Sequence, residues 1–438
     1  MGDLPTSTLE DMCEFVIDCP HFTPEWTDSG FIVIRNQNIR DGRLDLSNPS
    51  FTHHDDFLRR IKRAKPQAGD IIFTREAPMG EVCMVPEGLE CCVGQRQVLL
   101  RPRRGIDGRY LFFALRSHYV RHQIFWNEGT GSTVSNVRIP VLKSLKIPRL
   151  GNSESTIAVL LGALDDKIEL NRQTNENLEA MARAIFKDWF VDFGPTRAKA
   201  EGCPPYLAPE IWELFPDTVD DDDKPMGWKK RVLGDVVSVT KGRSYKSAEL
   251  QDSDTALVTL KSFQRGGGYR HDGLKSYTGR YKSEQVVSPG ELIVALTDVT
   301  QAADVIGKPA IVRGNDSYQT LVASLDVGIL RSRSEQVGLP WLYYLLRTED
   351  FQSHIYGHCS GTTVLHLSKQ GIPSFKATMP PPHLLSLFDD TANSLFSRAT
   401  ANDEEALTLS RMRDLLLPKL MSGEIRLRYA EKAVEAIA

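Results

Sequence analysis

The stretch from Ile157 to Trp189 reads IAVLLGALDDKIELNRQTNENLEAMARAIFKDW, and it decides the fold. Its apolar positions recur at spacings that alternate between four and three residues, which is typical of a coiled-coil seam. Two asparagines interrupt the seam, where they can fix its register at some cost in stability. The predicted seam residues here are Ile157, Leu161, Leu164, Ile168, Asn171, Asn175, Leu178, Ala182, Ile185 and Trp189.

A second, weaker seam lies near the C-terminal end and keeps the same phase. Two long helices with matching seams can bury these seams against each other, so we expect them to pair as an antiparallel coiled coil. The alternative is that each helix covers only its own neighbouring domain. The second seam consists of Phe388, Leu395, Ala399, Asn402, Ala406, Leu409, Leu416 and Leu420.

The chain also repeats itself ahead of each long helix. The segment Tyr110–Ser117, YLFFALRS, recurs as Trp341–Thr348, WLYYLLRT, displaced by 231 positions. A polar glycine turn follows each copy, TGSTV at 130–134 and SGTTV at 360–364. Internal repetition of this kind decides the architecture. The sequence therefore predicts a tandem duplication.

Each repeat contains short apolar runs separated by Gly, Pro, Asn and Asp, which is typical of strands, and one amphipathic helix. The predicted strands include 31–34, 70–73, 98–101, 257–260 and 292–296. The predicted fold class is α+β, with two tandemly repeated mixed domains that are each followed by a long helix. The predicted boundaries are 1–150 for the first domain, 151–195 for the central helix, 196–227 for a linker, 228–382 for the second domain, 383–427 for the C-terminal helix and 428–438 for a tail.

Composition restricts the class of protein. Of the 438 residues, 41% are hydrophobic and 25% are charged, which indicates a folded chain of two or more domains. The sequence has no apolar run of membrane-spanning length and no signal-peptide pattern at its start, so we expect a cytoplasmic protein with no membrane partner. Seven cysteines without a CxxC pair predict reduced thiols rather than disulfides or a zinc ribbon.

The net charge of −4 hides an uneven distribution. Between Glu201 and Asp223 lie eight acids, four prolines and no base, which predicts an exposed linker. From Lys229 to Lys376 the balance turns basic, with 19 Lys and Arg against 14 Asp and Glu. This balance permits a nucleic-acid partner.

The sequence contains none of the familiar catalytic motifs. It lacks a phosphate-binding loop, a dinucleotide-binding fingerprint, HExxH and GxSxG. His354 and His358 have helical spacing but no third ligand at a familiar distance, so we expect a helix surface there and no metal. These absences favour a binding protein over an enzyme.

Polar, basic and aromatic residues gather on the predicted loops. Arginine can hydrogen-bond guanine, and Asn or Gln can hydrogen-bond adenine, while basic groups neutralise phosphates. We therefore predict that these loops contact DNA; the alternative for any single residue is a solvated loop. In the first repeat the predicted contacts are Arg35, Asn36, Gln37, Asn38, Arg40, Gln95, Arg96, Gln97, Ser132 and Thr133. In the second they are Lys261, Arg265, Tyr269, Arg270, Lys275, Tyr277, Arg280, Tyr281, Lys282, Thr297, Asp298, Thr300, Gln301, Thr362 and Thr363.

The chain resembles the specificity subunits of type I restriction-modification systems over essentially its whole length. The most characteristic stretch is Leu161–Pro195, LGALDDKIELNRQTNENLEAMARAIFKDWFVDFGP, which is similar to the central conserved helix of that family. Leu415–Leu427, LLLPKLMSGEIRL, resembles the C-terminal close of the family. The acidic insert from about Glu201 to Pro225 departs from the family pattern. Softer likeness lies in IDCPHFTP at 17–24, in 94–96 and in LTDVTQAADVIG at 296–307.

The resemblance implies a function and a set of partners. Members of this family recognise a bipartite double-stranded DNA target, bind two modification subunits to form a methyltransferase, and add restriction subunits to form an ATP-dependent nuclease. It also implies that S-adenosylmethionine, ATP and Mg are bound by those partner subunits, so that this chain holds no cofactor and is not an enzyme. Two alternatives remain open, a protein-interaction scaffold that does not bind DNA and an orphan specificity subunit without partners.

Overall fold

The computed structural model describes residues 4–126, 136–299, 303–314, 317–333 and 337–424. The chain divides into two compact units, the first formed by 1–173 with 402–438 and the second by 174–401. Each unit contains a mixed α/β domain together with a part of each of two long helices, α6 (Ser153–Phe190) and α11 (Pro382–Met421).

The first unit is built around a four-stranded antiparallel sheet and a second, mixed sheet. Its strands are β1 (Thr6–Thr8), β2 (Cys13–Asp18), β3 (Trp26–Thr27), β4 (Phe31–Ile34), β5 (Ile39–Arg40), β6 (Arg43–Leu44), β7 (Ser50–Thr52), β8 (Ile71–Thr74), β9 (Val82–Met84), β10 (Cys91–Val93), β11 (Gln97–Pro102) and β12 (Lys146–Pro148). Its short helices are α1 (Leu9–Met12), α2 (His54–Ile61), α3 (Gly108–Arg116), α4 (His118–Trp126) and α5 (Ile139–Ser144).

The strand order of the antiparallel sheet is β2-β11-β8-β9, and that of the mixed sheet is β10-β4-β7-β3 with β10 parallel to β4. All four residues of β8 are buried, which explains why this strand reads as a continuous apolar run instead of an alternating one. Helix α3 begins where the Asp107 side chain accepts a hydrogen bond from the Tyr110 amide at 3.1 Å. The buried Tyr110 hydroxyl then donates to the Pro148 carbonyl at 2.7 Å and ties α3 to β12.

The second unit repeats this plan. Its strands are β13 (Lys229–Val232), β14 (Val237–Lys241), β15 (Thr255–Val258), β16 (Lys275–Ser276), β17 (Val286–Val287), β18 (Leu292–Ala295), β19 (Thr297–Asp298), β20 (Pro309–Ile311), β21 (Thr320–Ala323), β22 (Val327–Ser332), β23 (Cys359–Ser360), β24 (Leu365–Leu367) and β25 (Lys376–Met379). Its shorter helices are α7 (Gly194–Ala200), α8 (Pro209–Trp212), α9 (Leu339–Leu345) and α10 (Glu349–Gly357). The antiparallel order β14-β22-β18-β20 matches that of the first unit, and β15 pairs with β21 in parallel as β4 pairs with β10.

Four of the five predicted strands are confirmed, at β4, β8, β11 and β18. The fifth is shifted, because β15 ends at Val258 and Leu260–Ser262 forms a 3-10 turn. The expectation of one amphipathic helix per repeat was wrong. At the predicted place each repeat has a pair of helices, because the chain is extended at Ser117 between α3 and α4, and at Thr348 between α9 and α10.

The two long helices are α6 (Ser153–Phe190) and α11 (Pro382–Met421), of 38 and 40 residues. Within the first unit, the Asn171 side-chain amide donates to the Asn402 carbonyl at 3.3 Å and to a Glu405 carboxylate oxygen at 2.6 Å. Within the second, the Asn175 amide donates to the Ala399 carbonyl at 3.0 Å, and the Phe186 and Phe388 rings are 5.6 Å apart. In both units, as the residue numbers rise along α6, the residue numbers of its contacts on α11 fall.

Burial along the helices follows the predicted seams. In the first unit, Ile157, Leu161, Leu164, Leu409, Leu416 and Leu420 are buried in one core cluster, and Ile168 packs against it. In the second unit Phe388 is buried and Ile185 and Leu395 pack against its cluster, while Leu178 is half-buried. Asn171 and Asn402 are both buried, as the predicted polar layer requires. The sequence pattern missed Phe186, which is more deeply buried than its neighbour Ile185.

Most of the acidic segment after α6 is exposed, as its composition predicts, but two of its aromatic residues pack into the second unit. Trp212 and Phe215 are buried, and the Phe215 ring lies edge-on to Trp189 at 5.4 Å. The Lys199 ammonium donates to the Phe215 carbonyl at 2.8 Å. Aromatic burial therefore outweighs the charge of the surrounding acids, which stay on the surface of the second unit.

Candidate nucleic-acid interface

In the first unit, the loop after β4 is a short 3-10 turn that presents polar side chains. The Asn38 side chain holds this turn, because its oxygen accepts from the Arg35 amide at 2.9 Å and its amide donates to the Asp45 carbonyl at 2.9 Å. Arg35 and Gln37 are left exposed to solvent. This arrangement offers a guanidinium and an amide, the two groups best suited to base edges.

A second loop, which follows the parallel strand β10, lies directly beside the first. The Gly94 amide donates to the Ile34 carbonyl at 2.7 Å, and a Cβ atom on Gly94 would meet that oxygen at 2.5 Å, so the close approach requires glycine. Gln95 and Arg96 are exposed at the tip. The Arg96 guanidinium is 3.2 Å from the Glu76 carboxylate in a partly exposed ion pair.

An exposed tryptophan beside these loops was not predicted. Trp26 is 46% exposed, and the Arg35 guanidinium lies 5.1 Å from the centre of its ring. A cation stacked on an exposed indole combines a charge for phosphate with a flat apolar surface. The available signal was a lone tryptophan shortly before the predicted strand 31–34.

The structure corrects two of the predicted contacts in the first unit. Asn38 and Gln97 are buried, because Asn38 holds its turn and Gln97 accepts a hydrogen bond from the Gly94 amide at 2.9 Å. Both side chains serve the loops and do not face solvent. Asn36 is half-buried and its amide donates to the Glu76 carbonyl, whereas Arg40 is exposed beside Asp41. Ser132 and Thr133 lie outside the described residues.

The second unit builds a comparable face on the same strand ends. The Ser324 amide donates to the Val258 carbonyl at 2.9 Å, in the place of the contact between Gly94 and Ile34. The Arg243 amide donates to the Ala323 carbonyl at 2.7 Å, which brings the loop after β14 to the same edge. The last residue of β14, Lys241, is exposed, and so are Arg243 and Lys246 in this loop; none of the three was predicted. The signal was a KGRSYK run directly after a strand.

The predicted cations of the second unit are mostly exposed, and they fall into two groups. Lys261 and Arg280 are exposed, and no ion pair is found for either among the described residues. Arg265, Arg270 and Lys282 each lie next to an acid, with nitrogen to oxygen distances of 3.7 Å to Asp304, 2.7 Å to Asp272 and 3.5 Å to Glu284. Lys275 is half-buried, with its ammonium 5.6 Å from the centre of the Tyr245 ring.

Three further predicted contacts in this unit are internal, which corrects their assignment. Tyr277 is buried and its hydroxyl donates to the Arg280 carbonyl at 3.2 Å. Thr297 and Asp298 are buried as well, because the Thr297 hydroxyl donates to Asp326 at 3.0 Å and the Asp298 carboxylate accepts from the Val305 amide at 2.7 Å. Tyr277 therefore holds its own turn, and Asp298 holds the backbone at Val305 and Ile306.

The other predicted residues of the second unit vary in exposure. Tyr269 is half-buried, and burial raises the pKa of its hydroxyl to about 12. Tyr281, Thr362 and Thr363 are exposed. Thr300 and Gln301 lie outside the described residues.

The described part of the chain offers no group of three or more His, Cys, Asp or Glu that could hold a metal ion. His354 instead lies with its Nε2 2.9 Å from the Gly371 carbonyl oxygen, and the His358 Nδ1 is 2.8 Å from the His354 carbonyl oxygen. The seven cysteines are free, and burial raises the pKa of the Cys91 thiol to about 12. Among the helices described, none has both the length and the apolar character to cross a membrane.

Comparisons with known proteins point to one family. Residues 1–180 match the model of the type I restriction modification DNA specificity domain. The chain is 26% identical over 367 residues to the type I restriction enzyme MjaIX specificity subunit of Methanocaldococcus jannaschii, covering 82% of this chain and 78% of that protein. It is 24% identical over 441 residues to the HindI specificity subunit of Haemophilus influenzae, covering 87% and 93%. A crystal structure of the S subunit of a type I restriction-modification system from M. genitalium shares the fold, with a TM-score of 0.54, 16% identity, and 96% and 97% coverage.

Proposed function

Because this chain belongs to the family of type I restriction-modification specificity subunits, we propose that it binds a bipartite double-stranded DNA target and directs its partner subunits there. Those partners are two modification subunits, which supply the methyltransferase, and restriction subunits, which supply the ATP-dependent nuclease. S-adenosylmethionine, ATP and Mg belong to the partners in this proposal. The chain itself recognises the sequence and performs no catalytic step.

The observation that carries the proposal is the recurrence of one loop scaffold in both units. In each unit the loops after a parallel pair of strands meet at one edge, held by backbone hydrogen bonds, and their exposed side chains include arginine with lysine or glutamine. Two separate faces of this chemistry suit a target with two specified halves. A scaffold for partner proteins would not need cations and amides at both strand edges.

We further propose that α6 and α11 pair as an antiparallel coiled coil and that the repeats are a tandem duplication. The contacts of Asn171 with Asn402 and Glu405, and of Asn175 with Ala399, support the pairing. The matching strand orders support the duplication. The helices then act as a spacer and as the surface for the modification subunits. At 1.5 Å per residue the seam of 33 residues is roughly 50 Å long, which corresponds to roughly 15 base pairs between the ends of the target.

Methylation mapping tests this function directly. The chain is co-expressed with a modification subunit from the same source in a host without other adenine methyltransferases, and the genome is sequenced for modified bases. We expect one bipartite motif with a modified adenine in each half and an unspecified gap. A complex that forms but leaves the genome unmodified would support the orphan alternative, and a chain that binds neither DNA nor a modification subunit would contradict the proposal.

A further inference from the structure

Two arginines at equivalent positions of the repeats each reach the same long helix. Arg116 ends α3 in the first copy, and Arg347 follows α9 at a displacement of 231 residues in the second. The Arg116 Nη1 atom lies 3.0 Å from an Asp165 carboxylate oxygen. The Arg347 guanidinium forms a close ion pair with Glu179. Each domain is therefore joined to α6 by a charge pair within its own unit.

In both pairs the arginine side chain is largely buried. The Arg116 side chain is 10% exposed and the Arg347 side chain 15%. Each contact is also reinforced: Arg413 of α11 lies 2.6 Å from Asp165, and the Tyr344 hydroxyl donates to the Glu179 carbonyl at 3.4 Å. By contrast, the exposed pair of Lys187 and Asp192 at the end of α6 touches neither domain's arginine.

Two further ion pairs join the first domain to α6, Arg109 with Asp166 and Arg43 with Glu169, but their side chains are exposed. The buried part of the contact between domain and helix is largely apolar, and apolar contact is not directional. The hydrogen bond between a guanidinium and a carboxylate is directional, and a domain shifted along the helix would leave a buried guanidinium without its acid. Buried ion pairs add little net stability compared with apolar residues, but leaving one partner alone is costly, so their best-attested use is to fix a register.

We propose that Asp165 and Glu179 are positioning residues that fix where each domain is held on α6 and thereby select the gap length of the DNA target. This inference rests on the proposed function. Neither residue touches the exposed faces described above. Their effect is therefore on the choice between targets with different gaps, and only weakly on the affinity for either half-site alone.

The test uses the pair in the second unit, because Arg347 and Glu179 form the simpler of the two contacts. The double variant Arg347→Met with Glu179→Leu replaces both charges with apolar groups of similar size and leaves no charge unpaired. The matched control is Lys187→Met with Asp192→Leu, a pair of exposed side chains in which Lys187 lies on α6 and Asp192 just beyond its end. A third variant exchanges the charges, Arg347→Glu with Glu179→Arg.

Methylation rates are measured for the complex with modification subunits on duplexes whose gaps differ by one and two base pairs from the optimum. For the wild type and the control we expect one sharp optimum. For the apolar variant we expect the preference for this optimum to fall about tenfold, a typical size for coupling between contacting side chains. The rate at the optimum and the unfolding midpoint should be kept, and the exchanged pair should restore the preference.

The outcomes separate this inference from the proposed function. An apolar variant that keeps the wild-type gap preference would overturn the positioning role. So would a preference that falls only in step with half-site affinity and the unfolding midpoint, since that result describes a structural contact. A wild-type complex without any preference for a bipartite site would instead contradict the proposed function.

Discussion

The exposed cations of the second unit allow a quantitative test of DNA contact. We compare two triple alanine variants, each of which removes three positive charges from the loops around one strand edge. The first removes Arg243, Lys261 and Arg280, for which no ion pair is found among the described residues. The second removes Arg265, Arg270 and Lys282, which lie 2.7–3.7 Å from carboxylates.

The expected magnitude follows from counterion release. Each phosphate contact contributes about 0.9 to the slope of log affinity against log salt, so three lost contacts lower the slope by about 2.7. Between 50 and 200 mM salt this difference amounts to about 40-fold in affinity. A cation with a carboxylate beside it is already partly neutralised. The second variant should therefore lower the slope by about one or less.

The assay is fluorescence anisotropy with a labelled duplex that carries the mapped target, titrated with the complete complex at several salt concentrations. The order of the two slopes is the critical result. If both variants keep the wild-type slope, this face does not contact phosphates. If the two variants lower it equally, ion pairing within the free protein does not decide which cations reach the DNA.

Three further predictions address stability, spacing and modularity. Burial raises the pKa of the Asp389 carboxyl from 3.8 to about 6, so the folded state binds this proton more tightly than the unfolded state does. The stability that this proton contributes is therefore present below pH 4 and is lost as the pH rises through 6. In denaturant unfolding, the free energy of unfolding of the wild type should fall by up to about 3 kcal/mol between pH 4 and 7 relative to that of Asp389→Asn. Parallel curves of this free energy against pH would refute the prediction. Removing 169–175 together with 399–405 deletes one heptad from each long helix, shortens both by about 10 Å, and should shorten the methylated gap by about three base pairs. Exchanging 1–150 for the same part of a relative should change one half-site in the methylation map, and a change in both would show that the domains do not read independently.

The sequence predicted best what repeats over many residues. The seam of α6 and its counterpart in α11 were visible because a period of 3.5 is sampled many times, and burial of Asn171 and Asn402 follows from the same period. The long apolar strands were visible for a similar reason, since strands such as β8 are buried throughout. Patterns of this kind average over local exceptions.

The predicted DNA-contacting residues fared less well because one residue type serves two purposes. A polar side chain in a loop can face DNA or can hold the loop, and composition does not separate the two. Asn38 and Gln97 satisfy backbone groups, and the Asp298 carboxylate accepts from two successive amides. The partner of such a group lies several residues away along the chain or on another strand, and only the fold reveals it.

Long-range contacts also explain why the corresponding helices α3 and α9 have different N-terminal caps. Helix α3 is capped by Asp107, which directly precedes it, whereas the N-terminal end of α9 has Gly338 at that position. The cap is supplied instead by Asp389 of α11, which accepts from the Gly338 amide at 3.0 Å and the Trp341 amide at 2.9 Å. A side chain on Gly338 would collide with this carboxylate, since its Cβ would lie 2.0 Å from the nearer oxygen.

The two units share a backbone hydrogen bond between their loops but differ in the exposed residue that follows it, and this difference bears on the DNA sequence that each unit is proposed to recognise. The hydrogen bond that joins the two loops is kept, as the Gly94 amide donates to Ile34 in one unit and the Ser324 amide donates to Val258 in the other. The exposed residue that follows is not kept, because Gln95 in the first unit corresponds to Leu325 in the second. An amide can hydrogen-bond adenine, whereas an aliphatic side chain can only contact an apolar group such as the thymine methyl. Under the proposed function, two loops held in the same way present different side chains to the bases, and we expect the two halves of the target to differ in sequence.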